Sequence, residues 1–151
     1  MMNFPILSLI IFLPLLGSFF VFFSRSKNDI GAIYISILTT FVNLLLCIFL
    51  WWSFDNNFQG FQFVEEKNWI SGYIKFKLGI DGISILFIVL TALIAPICVI
   101  SCINSVKVRL KEFLIAILVL ETFMIGVFCS LDLVIFYLFF EAGLIPMFLI
   151  I

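Results

Sequence analysis

Residues 133–151 read LVIFYLFFEAGLIPMFLII, an apolar run of membrane-spanning length with one carboxylate, Glu141, near its middle. An Asp at the bilayer centre costs roughly 2.5–3.5 kcal/mol on insertion scales, so such acidic residues usually face a bundle interior or a wet cavity and serve ion or proton movement. A second acidic residue, Glu121, stands within the preceding apolar segment. Two carboxyl groups at membrane depth indicate the handling of protons or cations.

The composition of the whole chain is that of a membrane protein. Of the 151 residues, 65% are hydrophobic and 11% are charged, and the mean hydropathy is +1.35. A soluble domain of this size cannot bury so large an apolar fraction, so we predict an all-α fold class, a polytopic membrane helix bundle. The lipid bilayer is the expected surrounding, and nucleic acid is not expected as a partner because the chain has no basic tail.

Side chains that bind metals or cofactors are scarce. Histidine is absent, and the four cysteines, Cys47, Cys98, Cys102 and Cys129, stand inside apolar runs. Cys98 and Cys102 are one helical turn apart, but a pair without further thiols or histidines is not a cluster motif. We expect packed, inert thiols and no metal site. No Gly-rich phosphate loop or Ser–His–Asp set is present, so a self-contained enzyme is not expected either.

Five stretches are long and apolar enough to cross a bilayer as helices, which need about 20 apolar residues each. They cover residues 5–23, 30–52, 83–103, 113–128 and 133–151. Basic residues are concentrated in two short loops, with Arg25 and Lys27 in the first and Lys107, Arg109 and Lys111 in the second. Short basic loops stay on the cytoplasmic or matrix side, which predicts the N-terminus on the periplasmic or intermembrane side.

The external loop, residues 53–79, is predicted to contain a small β-hairpin that caps the helix ends. Residues 61–63 and 74–78 alternate apolar and polar side chains, which is the period of a half-buried strand. Asp81 follows the loop and is expected to cap the third helix. Three tryptophans are expected at the membrane interface: Trp51, Trp52 and Trp69.

The functional site is predicted around Glu141. Tyr137 precedes it by one helical turn and shares its face, where the hydroxyl can stabilise either protonation state. Pro146 has no N–H to donate to the carbonyl of Ala142, which leaves a free backbone acceptor beside Glu141, and Gly143 allows a close helix approach or a bend. A movable lysine could load and unload a proton there, since a nearby cation favours the charged carboxylate. The alternative is a protonated Glu141 that only hydrogen-bonds a neighbouring helix.

The remaining polar residues have structural alternatives. For Glu121, an auxiliary place in a polar path and a plain interhelical hydrogen bond are both open. Asp132 is expected to cap the fifth helix, and Asn43 is expected to contact a neighbouring helix. All eight Lys and Arg residues fall outside the apolar spans. A cation opposite Glu141 is therefore expected from another subunit or from a part of the protein outside this chain.

Three stretches resemble one family in order and spacing: FQFVEEKNWI at 61–70, KLGIDGIS at 77–84 and LDLVIFYLFFEAGLIPM at 131–147. Through them the chain is similar to subunit M of respiratory NADH:quinone oxidoreductase (complex I), whose mitochondrial equivalent is NADH dehydrogenase chain 4. The family usually has Trp where Phe140 stands and a larger residue than Gly143. Neither of these two differences from the family pattern changes the carboxylate of Glu141.

The resemblance implies the N-terminal part of an antiporter-like, proton-translocating subunit of about fourteen helices in the bacterial or mitochondrial inner membrane. In that family the glutamate that matches Glu141 pairs with a lysine on the seventh helix, and later lysines continue a water-filled path. The lysine partner would lie in the missing C-terminal helices. The implied partners are the other membrane-arm subunits, and the implied cofactors, FMN and iron–sulfur clusters, belong with NADH and quinone to other subunits and not to this chain.

Two other hypotheses stay open from the sequence. The helix pattern also suits a subunit of a multi-subunit Na⁺/H⁺ antiporter, although residues 61–84 favour the respiratory family. A truncated, non-pumping scaffold chain is the second, because the last apolar run reaches Ile151 without a polar flank and looks cut.

Overall fold

The computed structural model describes residues 5–24, 29–70, 74–106 and 108–151, without the side chains of residues 69, 70, 74 and 104. The basic residues Arg25, Lys27 and Lys107 and the side chain of Trp69, on which parts of the topology prediction rest, lie outside the described parts. In chain order the elements are α1 (Ile6–Phe23), α2 (Ile30–Trp52), β1 (Gln62–Ile70), β2 (Ile74–Ile80), α3 (Ser84–Ser105), α4 (Leu110–Cys129) and α5 (Leu133–Ile150).

The five predicted spans are confirmed as helices, each long and apolar enough to cross a membrane. The largest difference is at the start of α4, which begins at Leu110 and not at residue 113. Lys111 and Glu112 lie in its first turn. The predicted span excluded them because they are charged, but charged residues can still be part of a helix outside its apolar section. A carboxylate in that turn also suits the positive end of the helix dipole.

The helix α4 is the centre of the bundle, because it contacts α1, α2, α3 and α5. In contrast, α5 packs on α4 and touches β2, so most of its circumference is open in this chain. Gly126 of α4 permits the close approach of α5, since a Cβ at that position would lie 2.8 Å from the ring of Phe139. At Gly143, a Cβ would lie at an ordinary 3.6 Å from Phe123, so the close approach expected there is made at Gly126 instead.

The predicted hairpin is confirmed as an antiparallel pair of β1 and β2, with Glu66 opposite Lys77. It lies against the helix ends at what we call the hairpin end of the bundle, which comprises the start of α1, the two strands and the turn between α4 and α5. There the N–H of Leu131 donates to the carbonyl of Lys77 at 3.0 Å, and Leu78 is fully buried. The small sheet is an addition to an otherwise helical fold.

Two apolar clusters fill the bundle, one toward each end. The cluster at the hairpin end includes Ile11, Cys47 and Ile125, and the other includes Val21 and Leu118, with further members on α2 and α3. Between them lies a layer of buried polar side chains, called here the polar layer: Ser18, Ser36, Thr40, Asn43, Glu121 and Thr122. The polar layer crosses α1, α2 and α4 between the two apolar clusters and contains Glu121, one of the two candidate carboxyl groups.

Candidate functional site

Glu141 lies on the outer face of α5. The buried residues of α5 form the face toward α4: Ile135, Phe139, Gly143 and Pro146. At 3.6 residues per turn, a position two residues after Phe139 is turned about 200° away from it, and the Glu141 side chain is accordingly exposed. The expected burial of this carboxylate is not met within the described part of the chain, because the helix presents its opposite face to the bundle.

The predicted pairing of Tyr137 with Glu141 is present. The Tyr137 hydroxyl donates a hydrogen bond to Oε1 of Glu141, as one helical turn between them allows. Tyr137 is itself 57% exposed, so the pair forms a polar patch on an otherwise apolar surface of Phe136, Phe140 and Leu144. The Tyr137 hydroxyl can donate to a carboxylate, and the same hydroxyl can accept when the acid is protonated.

Pro146 is buried on the α4 side of α5, away from the Glu141 side chain. It lines a groove of about 850 Å³ that also includes Ala142 and Phe123. Since proline has no N–H, the carbonyl of Ala142 lacks its usual partner one turn later in the helix. The freed acceptor predicted from the sequence is thus on the groove side of α5, whereas the carboxylate points outward.

Glu121 is the acidic side chain that the bundle buries, with 3% of its surface exposed. Its Oε1 accepts a hydrogen bond of 2.8 Å from Nδ2 of Asn43, which is completely buried on α2. The prediction of an interhelical contact for Asn43 is therefore confirmed. Glu121 also borders a groove of about 540 Å³ between α3 and α4, together with Thr91 and Ser101. The two membrane-depth carboxyl groups therefore lie in different surroundings and are not brought together.

Asp132 and Asp81 cap helices as predicted. Oδ1 of Asp132 accepts from the N–H of Val134 at 2.8 Å at the start of α5. Oδ1 of Asp81 accepts from the N–H of Ser84 at 2.7 Å, while the Ser84 hydroxyl accepts from the N–H of Asp81 at 2.8 Å. The hydrogen bond from the Ser84 N–H to the carboxylate is the main reason that the pKa of Asp81 is below its usual value. Both acids have structural roles at helix ends.

The sequence did not reveal that both ends of α1 are capped by distant residues. At the hairpin end, Glu65 of β1 accepts from the N–H groups of Leu7 at 2.8 Å and Ser8 at 3.3 Å. At the other end, Nζ of Lys111 donates to the carbonyl of Ser24 at 2.7 Å and to that of Phe22 at 2.8 Å. An anion at the start and a cation at the end both suit the helix dipole. No local motif signals these contacts, which join residues far apart in the chain.

The described residues contain no group of three or more His, Cys, Asp or Glu side chains placed to hold a metal ion. The four cysteines are free thiols. Cys47, Cys102 and Cys129 are buried as expected, whereas Cys98 is exposed. The expectation of four packed thiols is therefore wrong for Cys98. One turn of helix separates it from Cys102, and both side chains border the groove between α3 and α4.

The fold and the two carboxyl groups together define a class, a polytopic helical membrane protein with ionisable groups at membrane depth. No protein-family model matches the chain. It is 49% identical over 150 residues to NADH-quinone oxidoreductase subunit M of Rhodobacter capsulatus, covering 97% of this chain and 29% of the relative. NADH-ubiquinone oxidoreductase chain 4 of Marchantia polymorpha is 47% identical over 149 residues, covering 96% of this chain and 30% of the relative.

A solved structure gives the same result. Respiratory complex I from Thermus thermophilus with bound NADH contains a chain that is 26% identical with a TM-score of 0.75, over 95% of this chain and 28% of that one. The membrane-bound sulfane sulfur reductase, an archaeal respiratory membrane complex, has a chain with a TM-score of 0.75 at 22% identity, over 97% of this chain and 22% of that one, which shows a shared fold. The chain belongs to the subunit M and chain 4 family of NADH:quinone oxidoreductases. It spans about 30% of the length of the curated relatives that it matches.

Proposed function

We propose that the chain forms the N-terminal part of an antiporter-like, proton-translocating membrane subunit of NADH:quinone oxidoreductase, with Glu141 as a carboxyl group of its proton path. The observation that carries this proposal is the Tyr137–Glu141 pair on the open face of α5. A carboxyl group at membrane depth that is hydrogen-bonded to a hydroxyl and exposed in this chain supports a partner supplied from elsewhere in the assembly.

The charges of the chain support a partner outside it. The Lys and Arg side chains that the structure describes lie in the hairpin or around the start of α4: Lys67, Lys75, Lys77, Arg109 and Lys111. None of these lies on α5, and an ionised carboxylate in a low-dielectric surrounding is stabilised mainly by a nearby cation. The matched relatives extend well beyond the matched segment. In our proposal a lysine on one of those further helices faces Glu141.

The chemistry follows from the movement of that cation. When the ammonium group is close to Glu141, the carboxylate is favoured and the proton leaves; when it moves away, the neutral acid is favoured and a proton is taken up. The Tyr137 hydroxyl donates to the carboxylate in the first state and accepts from the acid in the second. The site then changes charge without a buried, unpartnered group in either state.

The alternatives left open for Glu121 are weighed by its contacts. Its hydrogen bond with Asn43 across α2 and α4 supports the interhelical role over an auxiliary place in the proton path. Glu141 is in the opposite situation, since its hydrogen bond is local and its surroundings are open. Glu141 is therefore the residue to which we assign the proton exchange.

The proposal includes the setting of the chain. The subunit is a multi-pass protein of the bacterial or mitochondrial inner membrane, with the hairpin end and the N-terminus on the periplasmic or intermembrane side. Other membrane-arm subunits are its partners. NADH, FMN, iron–sulfur clusters and quinone are bound elsewhere in the complex, and the chain contributes proton movement alone.

The test uses the full-length subunit in its native membranes. NADH-driven proton uptake into inverted vesicles and NADH:quinone oxidoreductase activity are measured for Glu141→Gln, Glu141→Asp and Tyr137→Phe. We expect Glu141→Gln to lose coupled proton uptake, Glu141→Asp to be milder, and Tyr137→Phe to fall between wild type and Glu141→Gln. Glu112→Gln is the matched control, because Glu112 is exposed at the start of α4 and pairs with Arg109 at 3.6 Å. Full coupled activity in Glu141→Gln would refute the assignment.

A further inference from the structure

The polar layer contains two buried oxygen atoms without a hydrogen-bond donor. They are Oδ1 of Asn43 and Oε2 of Glu121, and both belong to the pair that is already joined by the 2.8 Å bond from Asn43 Nδ2 to Glu121 Oε1. A buried acceptor that finds no donor destabilises the fold, and it does so more strongly when it carries charge. A charged Glu121 would thus be an expensive arrangement at this buried position.

Neighbouring hydroxyl groups do not supply the missing donor. The hydroxyl of Thr122 donates to the carbonyl of Leu118 at 3.1 Å, within α4. The hydroxyl of Thr40 donates to the carbonyl of Ser36 at 3.0 Å, within α2. Such bonds to the preceding turn satisfy Thr side chains inside helices without reaching a second helix. The described basic side chains lie in the hairpin or around the start of α4.

One proton satisfies both oxygen atoms. A protonated carboxyl group is planar and carries one donor and one acceptor on the same edge, as a carboxamide does. With the proton on Oε2, Glu121 donates to Oδ1 of Asn43 while its Oε1 accepts from Nδ2. We propose that Glu121 keeps this proton in the resting protein and that the resulting two-bond acid–amide pair latches α2 to α4. The proposal goes beyond the proton path and does not depend on the assignment of Glu141.

The position of the latch gives it a structural consequence. Its two members lie between the apolar clusters. If only apolar side chains met there, α2 could slide or rotate against α4 at little energetic cost. A buried polar pair with a single good geometry fixes register, as polar residues do in coiled coils. Because α5 packs on α4, the pair that fixes α4 against α2 also fixes the position of α5 relative to the other helices.

Infrared spectroscopy of the full-length protein labelled with ¹³C-glutamate, at neutral pH, tests the protonation. We expect a carbonyl stretching band of a protonated, hydrogen-bonded carboxyl group in the wild type. The band should be absent in Glu121→Gln and shifted to higher frequency in Asn43→Leu, where the hydrogen bonds are lost. Thr122→Val, which alters a buried polar neighbour on the same helix, is the control and should leave the band in place.

Thermal unfolding in detergent provides the second measurement. Glutamine reproduces both hydrogen bonds without a proton, because its amide group can donate to Oδ1 and accept from Nδ2 of Asn43. We expect Glu121→Gln to unfold near the wild-type temperature and Glu121→Leu several degrees lower. Absence of the band in the wild type, or a band unchanged in Asn43→Leu, would overturn the proposal, the second outcome pointing to water in the groove between α3 and α4 as the partner. A large loss of stability in Glu121→Gln would overturn it as well.

Discussion

Replacement of Glu65 by alanine is predicted to loosen the hairpin from α1. The Glu65 carboxylate bridges them through hydrogen bonds from the N–H groups of Leu7 and Ser8 at 2.8 and 3.3 Å and from the Ser8 hydroxyl. These N–H groups belong to the first turn of α1, where no residue of the same helix can accept from them. Pro5, at the start of the helix, gives no side-chain cap. The substitution therefore leaves the first turn without its acceptor.

The magnitude follows from the three contributions that Glu65 makes. Loss of a side-chain cap typically costs about 1 kcal/mol, and a carboxylate at the positive end of a helix dipole contributes about 0.3–1 kcal/mol more. The Ser8 hydroxyl adds a charge-assisted hydrogen bond that overlaps with both. We expect Glu65→Ala to lower the free energy of unfolding by about 2 kcal/mol. Glu65→Gln, which keeps one acceptor oxygen and removes the charge, should lose about half as much.

The neighbouring residue supplies the control. Glu66 pairs with Lys75 at 2.6 Å and Lys77 at 3.6 Å, and the hydrogen bond with Lys75 lowers the pKa of Glu66. The three side chains are 38–50% exposed, so solvent screens these ion pairs and Glu66→Ala should change the stability little. Unfolding of the full-length protein in detergent and the rate of proteolysis in the hairpin are the measurements. Equal losses in Glu65→Ala and Glu66→Ala would refute the capping role.

Three further perturbations have definite expected outcomes. Gly126→Val should force α4 and α5 apart, because even its Cβ would lie 2.8 Å from the ring of Phe139. We expect the free energy of unfolding to fall by about 1–3 kcal/mol. Adding Phe139→Ala should restore part of this loss, and no restoration would contradict the prediction. Lys111→Met should destabilise the end of α1 by about 1 kcal/mol in the same unfolding assay, and Lys111→Arg by less. Because the pKa of Asp81 is lowered, its bond with Ser84 adds stability above the unfolded-state pKa of about 4, and this stability is lost as the pH falls through the folded-state pKa. In Asp81→Asn, the free energy of unfolding should depend less steeply on pH in the acid range. An unchanged slope would count against the prediction.

Local patterns in the sequence predict the elements and the contacts within one helix. The spans follow from apolar runs, and the hairpin follows from alternation that the register of β1 and β2 reproduces. The Tyr137–Glu141 bond and the Asp132 cap follow in the same way, because their spacing along one helix determines their geometry. Such contacts require no knowledge of which helices are neighbours.

The face of α5 that meets the bundle could not be predicted. In a soluble helix the apolar stripe marks the buried face, but lipid-facing and buried positions of a membrane helix are about equally apolar. On α5, exposed Phe140 and buried Phe139 are the same residue type next to each other. The direction of Glu141 therefore depends on the close packing of α4 through Gly126, which is a property of two helices together.

For pairs of residues far apart in the chain, the sequence indicates at most one of the two partners. Asn43 is identifiable as a polar residue in an apolar span, but its partner on α4 is known only once the order of packing is known. Glu65 and Lys111 carry no sign of their roles, since charged residues outside the spans are ordinary in loops. Their roles arise from the fold, which brings an anion to the start of α1 and a cation to its end, where each interacts favourably with the helix dipole.

The different surroundings of the two membrane-depth carboxyl groups fit the different roles that we propose for them. A group that exchanges protons has to be stable in both charge states, which requires partners that can change, such as a rotating hydroxyl and a cation that moves. Glu141 has the hydroxyl of Tyr137 and an open face. Glu121 has a fixed amide on a neighbouring helix, which satisfies one protonation state completely and the other only in part. The same replacement, Glu to Gln, should therefore abolish function at position 141 and be tolerated at position 121, because Gln copies a neutral acid and cannot copy an exchanging one.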